Sequence, residues 1–428
     1  MRVCFIAHQG TKEGAGLFML DEIDYLLRHG VSVSAVLPWD GPLADALAER
    51  GVEFAFVPNA WWTKSRGLDS RGAYENAITA ARTMAAVFLQ WKIDVVYTET
   101  VVAPAGAIGA ALAGLPHVWH IHEFSYNPMG IEMAIPKASL ARLMDVSSNF
   151  VFFNSKVVAR EWEGHLPLEK TRVVYNWTST PVDDALPELS DDISRSLLTS
   201  RTSFIAVIVG SVVPLKRQRD AVEAVGTLLN EGLDIALLVV GPATNSMYQS
   251  ELQSIVQRNR WDAKIRFLGY TPNPHRIMQH ADVTLMCSES EGFGRVTIES
   301  MAQGTPVIGA DSGGTTEIIE SGVDGLLFPP GDVPALTDRL RLFIRDQSLR
   351  ARLAVGAKEK ASRFRGADSA MTPVLEILMR LVSEKNPSWP LGTLINAGLA
   401  DVQERPRAIR RGYDRGRRFL RSLFGRAR

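Results

Sequence analysis

A chain of 428 residues is too long for one ordinary hydrophobic core and points to two domains. Hydrophobic residues make up 46% and charged residues 22%, with 47 basic side chains balanced by 47 acidic ones. That is an ordinary globular balance, and it excludes a polyelectrolyte such as nucleic acid as the general partner.

Cys4 and Cys287 both stand in apolar, strand-like runs, at a spacing that suits no metal site, and fit a reducing compartment. No apolar run reaches the roughly eighteen residues of a membrane-spanning helix. The first residues already read as a strand, which leaves no signal peptide. The sequon at Asn176 and Thr178 is therefore incidental, and a cytoplasmic location is expected.

In chain order, residues 2–8 read as an apolar strand running into a polar loop that carries Gly10, Gly14 and Gly16. An amphipathic helix follows over 17–28, then a strand (31–37), a helix (42–50) and a strand (52–57). This alternation predicts a parallel sheet with helices on its faces. Ligands of such sheets bind at the carboxyl ends of the strands, where the Gly10–Gly16 loop falls. Trp61 and Trp62 interrupt the rhythm inside a polar loop; stacking on a sugar or lipid and packing on a neighbouring helix are both open readings. A helix (73–91), a strand (95–97), a helix (104–113) and a strand (118–121) come next. That strand runs through His120, which shares a face with His122, and Glu123 falls at its end. Strands over 149–153 and 172–175, with Ser155 as a helix cap between them, close the first half.

Residues 177–202 are rich in Ser, Thr, Asp and Pro and read as an interdomain connection. A second rhythm starts with a strand over 204–209, followed by Gly210, Ser211 and then Lys216 and Arg217 before a helix over 220–229. A strand (236–240) ends at Gly241, a helix spans 247–258, and a strand (265–267) ends at Gly269 and Tyr270. A helix over 274–279 and a strand over 282–286 lead to the most informative stretch, Glu291 to Glu299. There Gly292 and Gly294 form a turn at which backbone can approach a ligand, because no Cβ intervenes. From Arg295 a short helix is expected, stopping at Gly304. A helix N-terminus fed by glycines is a ready anion site. Glu291 and Glu299 lie at most roughly 12 Å apart along a helical rise, about the span of a sugar, a diphosphate and a ribose. Carboxylates at both ends of an anion site suit a nucleotide sugar. Helical periodicity then runs from 333 to about 383.

The Glu291–Glu299 stretch, with Gly292, Phe293 and Gly294, resembles the E-x7-E signature of retaining GT-B glycosyltransferases of the family-4 kind. The resemblance continues through residues 304–319 and 322–332 and covers roughly residues 1–365. It implies two Rossmann-like α/β domains facing across a cleft. These would be an acceptor-side domain over 1–176, a linker over 177–202, a nucleotide-sugar domain over 203–365 and a helix over 366–384 crossing back to the first domain. The resemblance makes Glu291 an acceptor for donor-sugar hydroxyls, Glu299 an acceptor for the ribose, and His122 with Glu123 a lining for the donor sugar. Lys216 and an arginine would neutralise the diphosphate. Ser211 and Leu215 stand where that arginine is often found, which leaves Arg217 or Arg219. Gly16, Gly210 and Ser211 would face the phosphates, Gly292 to Arg295 would supply the helix terminus, and Gly313, Gly314 and Thr315 would extend the cradle. Gly269 and Tyr270 would surround the base, with strand-end packing as the other reading of Tyr270.

The chemistry so implied is transfer with retention at the anomeric carbon, the donor phosphate oxygen taking the acceptor proton. No cofactor and no metal are expected, since no Asp-x-Asp pair stands in the chain. The donor would be a UDP- or GDP-sugar and the acceptor a saccharide or lipid-linked glycan of cell-surface polysaccharide or glycoconjugate synthesis. Rival readings are a sugar-nucleotide epimerase or a phosphorylase on the same fold, or a non-catalytic nucleotide-sugar-binding protein. The intact Lys216, Glu291 and Glu299 speak against the last.

Residues 401–428 hold ten arginines against three acids, a net +7 that leaves −7 for the rest of the chain. Ile409, Tyr413, Leu420 and Phe424 recur there at helical spacing, a pattern suited to an anionic surface at the inner face of the membrane. Gly412 and Gly416 weaken such a helix, so a disordered basic tail is the competing reading.

Overall fold

The structure, a computed structural model, describes residues 1–64, 70–126, 131–178 and 204–384. Most of the expected connection over 177–202, and the whole basic tail with its membrane reading, lie outside the described residues. Contacts divide the chain into two units: Met1–Asn154 and Val158–Val174, with the described residues from Ala367 on, and Ser155–Val157 with Tyr175–Gly366.

Unit 1 is built on seven parallel strands, β1 (Arg2–Ile6), β2 (Ser32–Leu37), β3 (Glu53–Phe56), β4 (Val95–Glu99), β5 (His117–Ile121), β6 (Phe150–Phe153) and β7 (Thr171–Val173). Their spatial order is β3-β2-β1-β4-β5-β6-β7. Its helices are α1 (Ala15–Arg28), α2 (Pro42–Glu49), α3 (Ser70–Gln90), α4 (Ala105–Ala113), α5 (Lys137–Ser147) and α6 (Lys156–Glu161), the last shared with unit 2 in its first two residues. Central strands covered on both faces read as unbroken apolar runs, and Val3, Cys4, Phe5 and Ile6 of β1 are all fully buried. The alanine-rich α4 packs against α3 through Gly109, where a Cβ would stand 3.0 Å from Ala81 O.

Unit 2 repeats the plan with β8 (Phe204–Val209), β9 (Ile235–Val240), β10 (Ile265–Gly269), β11 (Val283–Met286), β12 (Val307–Ala310) and β13 (Gly325–Phe328), in the order β10-β9-β8-β11-β12-β13. Its helices are α7 (Gln218–Asn230), α8 (Ser246–Arg258), α9 (Pro274–His280), α10 (Arg295–Ala302), α11 (Thr315–Ile318), α12 (Val333–Arg345) and α13 (Gln347–Ser362). The periodicity from 333 resolves into three helices, the first two opened by acidic caps and the third set off by the turn at Gly366, φ +81°. Asp332 accepts from Ala335 N, and Asp346 from Leu349 N, both at 2.9 Å. The third, α14 (Asp368–Ser383), belongs to unit 1, where it buries Met371, Val374, Leu378 and Leu381. Thr372 Oγ1 there meets Tyr25 Oη of α1 at 3.0 Å.

Both sheets are doubly wound, as the alternation predicts, and each reverses its order once: between β1 and β4, and between β8 and β11. Loops beyond the carboxyl ends of the strands flanking such a reversal form the usual ligand crevice.

Candidate functional site

In unit 2 the loops that follow β8 and β11 supply the charged groups. Gly210 leaves β8 with φ +143° and Gly241 leaves β9 with φ +142°. A Cβ on Gly241 would stand 2.0 Å from Gly210 O, so the two loops touch backbone to backbone. Gly241 N in turn donates to Gly269 O at 2.8 Å. The β8 loop then tightens into a 3-10 turn, Pro214–Lys216, and Arg217 caps α7 in the left-handed region at φ +51°. A non-glycine residue held there costs about 1 kcal/mol. One residue earlier, Lys216 Nζ reaches Glu291 Oε2 at 2.5 Å.

Burial acts to raise the Glu291 carboxyl, but the Lys216 charge, with hydrogen bonds from Lys216 and Ser288, outweighs it. Glu291 therefore sits below the usual carboxylate range and is ionised. The pair is not sealed, its side chains being 33% and 19% exposed.

The turn that carries Glu291 is fixed by a second glycine turn after β12. A Cβ on Gly313 would lie 2.5 Å from Glu291 O, and one on Gly314 2.5 Å from Gly292 O, while Gly314 N donates to Glu291 O at 2.7 Å. Ser155 Oγ, which clusters with unit 2, donates to Gly292 O at 2.6 Å. Gly294, at φ +98°, caps α10 without a side-chain bond. One turn in, Arg295 Nε lies 3.3 Å from Glu299 Oε1.

Several expectations need correcting. The Phe293 ring is 2% exposed and packs on Tyr175 and Phe364, so only its backbone can meet a ligand. The Arg217 guanidinium is committed to Asp220, at 2.7 Å, and to Glu289, at 3.1 Å. Arg219 pairs with Glu251 on an exposed face. Tyr270 is 69% exposed, which removes the strand-end packing alternative. Ser211 is engaged through its carbonyl, which accepts from Gln218 Nε2 at 2.9 Å. His275 on α9 is a further group beside the signature that the sequence motif does not include. Burial holds its imidazole below the ordinary value, Glu299 opposing and Arg295 assisting. Its position just past the carboxyl end of β10 was the available signal.

Unit 1 fills the corresponding place differently. Gly16 lies buried in the first turn of α1, where a Cβ would come 2.7 Å from Thr11 O. His122 Nε2 and Glu99 Oε2 share a hydrogen bond of 2.6 Å. Beside them, Tyr97 Oη donates to Glu22 Oε1 at 2.7 Å, and His120 Nδ1 lies 3.0 Å from Tyr97 Oη and 3.1 Å from Glu22 Oε1. Phe18 sets its ring at 5.6 Å and 5.4 Å from the two imidazoles. Burial first, then the charge of Glu22, push the Glu99 carboxyl well above its usual range, so it keeps its proton. Glu123 accepts from Val101 N and His122 N, and burial lifts it to about 7 against those bonds.

Ligand atoms of Glu99, His120 and His122 fall within 4.8 Å of one another, a donor set that suits zinc in kind. The His122–Glu99 separation of 2.6 Å is that of a hydrogen bond. Neighbouring ligands on tetrahedral zinc stand roughly 3.3 Å apart. The geometry is that of a proton-sharing network.

Residues 13–180 match the family model described as Glycosyltransferase Family 4, and residues 190–360 match Glycosyl transferases group 1. The N-acetyl-alpha-D-glucosaminyl L-malate synthase of Bacillus anthracis is 31% identical over 195 residues, 45% of this chain and 49% of that one. A D-inositol 3-phosphate glycosyltransferase of Jonesia denitrificans is 31% identical over 182 residues, 41% and 43% of the two chains. The chain thus spans about half the length of these curated relatives. Among solved structures, Anabaena Alr3699/HepE in complex with UDP and glucose superposes with a TM-score of 0.73 at 24% identity, over 89% of this chain and 99% of that one. The two doubly wound units and this likeness identify the fold as GT-B.

Proposed function

We propose that this chain is a retaining glycosyltransferase that moves a hexosyl-type sugar from a nucleoside-diphosphate sugar to a saccharide or lipid-linked acceptor. The observation that carries the reading is the Lys216–Glu291 pair, placed by the loops of β8 and β11 at the reversal point of the unit 2 sheet. Matches to two glycosyltransferase family models and to glycosyltransferases by name support it.

On this reading the Lys216 ammonium and the α10 terminus at Gly294 and Arg295 neutralise charge building on the departing diphosphate. Glu291, ionised and part-exposed, accepts from hydroxyls of the donor sugar. Glu299, steadied by Arg295, accepts from the ribose, and Gly210, Ser211, Gly269 and Tyr270 line the nucleotide. The acceptor proton passes to the donor phosphate oxygen, so no side chain serves as general base and no metal or cofactor is needed. Gly16 and His122 keep their implied roles as donor contacts, with His122 held by its hydrogen bond to Glu99. UDP-sugars rank ahead of GDP-sugars, since the Anabaena structures hold UDP and UDP-glucose. No described helix is long and apolar enough to cross a membrane. The arginine-rich stretch 401–428 is proposed, on charge alone, to meet anionic lipid at the inner membrane face, where cell-surface glycans are assembled.

The test is thermal stabilisation and slow donor hydrolysis across UDP- and GDP-sugars. One donor should raise the melting temperature and release nucleoside diphosphate together with sugar of retained anomeric configuration. Interconversion of the sugar without release would favour an epimerase, and no stabilisation by any donor would overturn the proposal.

A further inference from the structure

Within unit 1, beyond the carboxyl ends of β2 and β3, a cavity of about 260 Å³ opens between Trp39 and Trp61, with Pro58, Asn59 and Asn76 completing its wall. Its two indoles are held by the backbone around them. A Cβ on Gly10 would lie 2.7 Å from Trp39 O and 2.9 Å from Trp39 Cδ1, so the glycine loop accommodates that residue. Trp61 Nε1 donates to His8 O at 2.6 Å, and its ring stands 5.5 Å from the His8 imidazole. Trp62, 3% exposed, is the packing tryptophan of the two; Trp61 is the one that faces a cavity.

The polar groups narrow the ligand. Asn59 is 7% exposed, yet its Oδ1 has no hydrogen-bond partner among the described residues. A buried amide oxygen left unpaired is costly, and a turn of the side chain toward the cavity would let a ligand hydroxyl pair with it. Asn76 Oδ1 is already taken by Ala60 N at 2.7 Å, which leaves its amide nitrogen to donate. One acceptor and one donor therefore flank two aromatic faces. Among the described residues no Lys, Arg, His, Asp or Glu side chain lines the cavity, so a phosphate or carboxylate would find no counter-charge from them. An acyl chain would leave both amides dry. What fits is a neutral ring with a C–H face for the indoles and hydroxyls for the amides. The volume lies under the roughly 300–1,000 Å³ of drug-sized sites, which suits one ring.

We propose that this cavity is a subsite for a single neutral pyranose, the sugar residue of the acceptor nearest to unit 1. The assignment of that sugar to the acceptor rests on the proposed glycosyl transfer, whereas the binding itself does not.

The experiment is saturation-transfer NMR on the full chain without donor. The probes are methyl β-D-glucopyranoside, methyl β-D-galactopyranoside and methyl α-D-mannopyranoside, with glucose 6-phosphate as the charged control. At least one neutral pyranoside should bind at millimolar concentration, with the phosphate ester no tighter than its parent sugar. Trp39→Ala, at an exposed position, and Asn59→Leu should each weaken that binding about tenfold or more, and Trp39→Phe should retain most of it. The melting temperature rise on adding UDP, measured alongside, should be the same in these variants as in the parent. Absence of pyranoside binding, or binding indifferent to both Trp39→Ala and Asn59→Leu, overturns the subsite. A chain that hydrolyses a sugar nucleotide but binds no pyranoside loses the subsite alone; one that binds pyranosides at Trp39 but no nucleotide loses the glycosyl-transfer reading alone.

Discussion

The two units share a topology and place opposite electrostatics at corresponding points of it. In unit 2 the loops beside the sheet reversal bring a lysine and a glutamate together, part-exposed, and the carboxylate stays charged. In unit 1 the neighbouring charges that bear on Glu99 are Glu22 and Glu123, both acidic, and the carboxyl keeps its proton. One unit thus holds an ionised, part-exposed pair and the other a buried carboxyl that keeps its proton. Strand order decides where a site falls, and the sign of nearby side chains decides what it can hold.

That contrast can be broken most strongly at the unit 2 pair. Lys216→Ala and Glu291→Gln should each lower kcat about 100–1,000-fold, the scale of losing one preorganised electrostatic contact. Steady-state transfer or donor hydrolysis checks this, and the double variant should lose less than the sum of the two because they share one network. Next in size is Gly314→Ala. Its Cβ would press to 2.5 Å on Gly292 O and Phe293 Cα, so about 2–3 kcal/mol of stability should disappear in urea unfolding.

The comparison sharpens at Glu99. A carboxyl that is already neutral tolerates its amide, so Glu99→Gln should cost under about 1 kcal/mol, whereas Glu99→Ala, which takes away the His122 Nε2 bond, should cost about 2–3 kcal/mol. A Glu99→Gln variant as unstable as Glu99→Ala would show that the carboxyl is ionised.

The comparison also has a pH dependence, at Glu123, lifted from 4.5 to about 7. An acid raised on folding stabilises most below its unfolded value, and that contribution is lost as pH rises through the folded one. Glu123→Gln removes the slope. Its stability relative to the parent should therefore grow between about pH 5 and about pH 8, by roughly 2–3 kcal/mol, in parallel thermal melts.

Much of the fold was legible because parallel strands covered on both faces write themselves as apolar runs, as at 2–6, 204–209 and 235–240. α5 escaped, since it buries only Leu140, Ala141, Met144 and Ser147 and carries a weak stripe. β13, four residues between turns, offers no period long enough to read. At the site, the glycine turn and its two glutamates were local and visible. Their partnerships were not, because Lys216 and Glu291 meet across 75 residues of chain. Glu99 falls outside the strand expected over 95–97, since β4 runs two residues further. The inward ring of Phe293 was hidden because residues flanked by glycines follow no alternation.

The most direct measurement is calorimetric titration of the stabilising nucleoside diphosphate, and of its sugar ester, into the parent, Lys216→Ala and Glu291→Gln. Lys216→Ala should weaken both ligands about tenfold or more. Glu291→Gln should weaken the sugar ester while leaving the free diphosphate nearly unchanged. If the free diphosphate binds Lys216→Ala as tightly as the parent, the β8 and β11 loops are not where the donor's phosphates rest, and the account is contradicted.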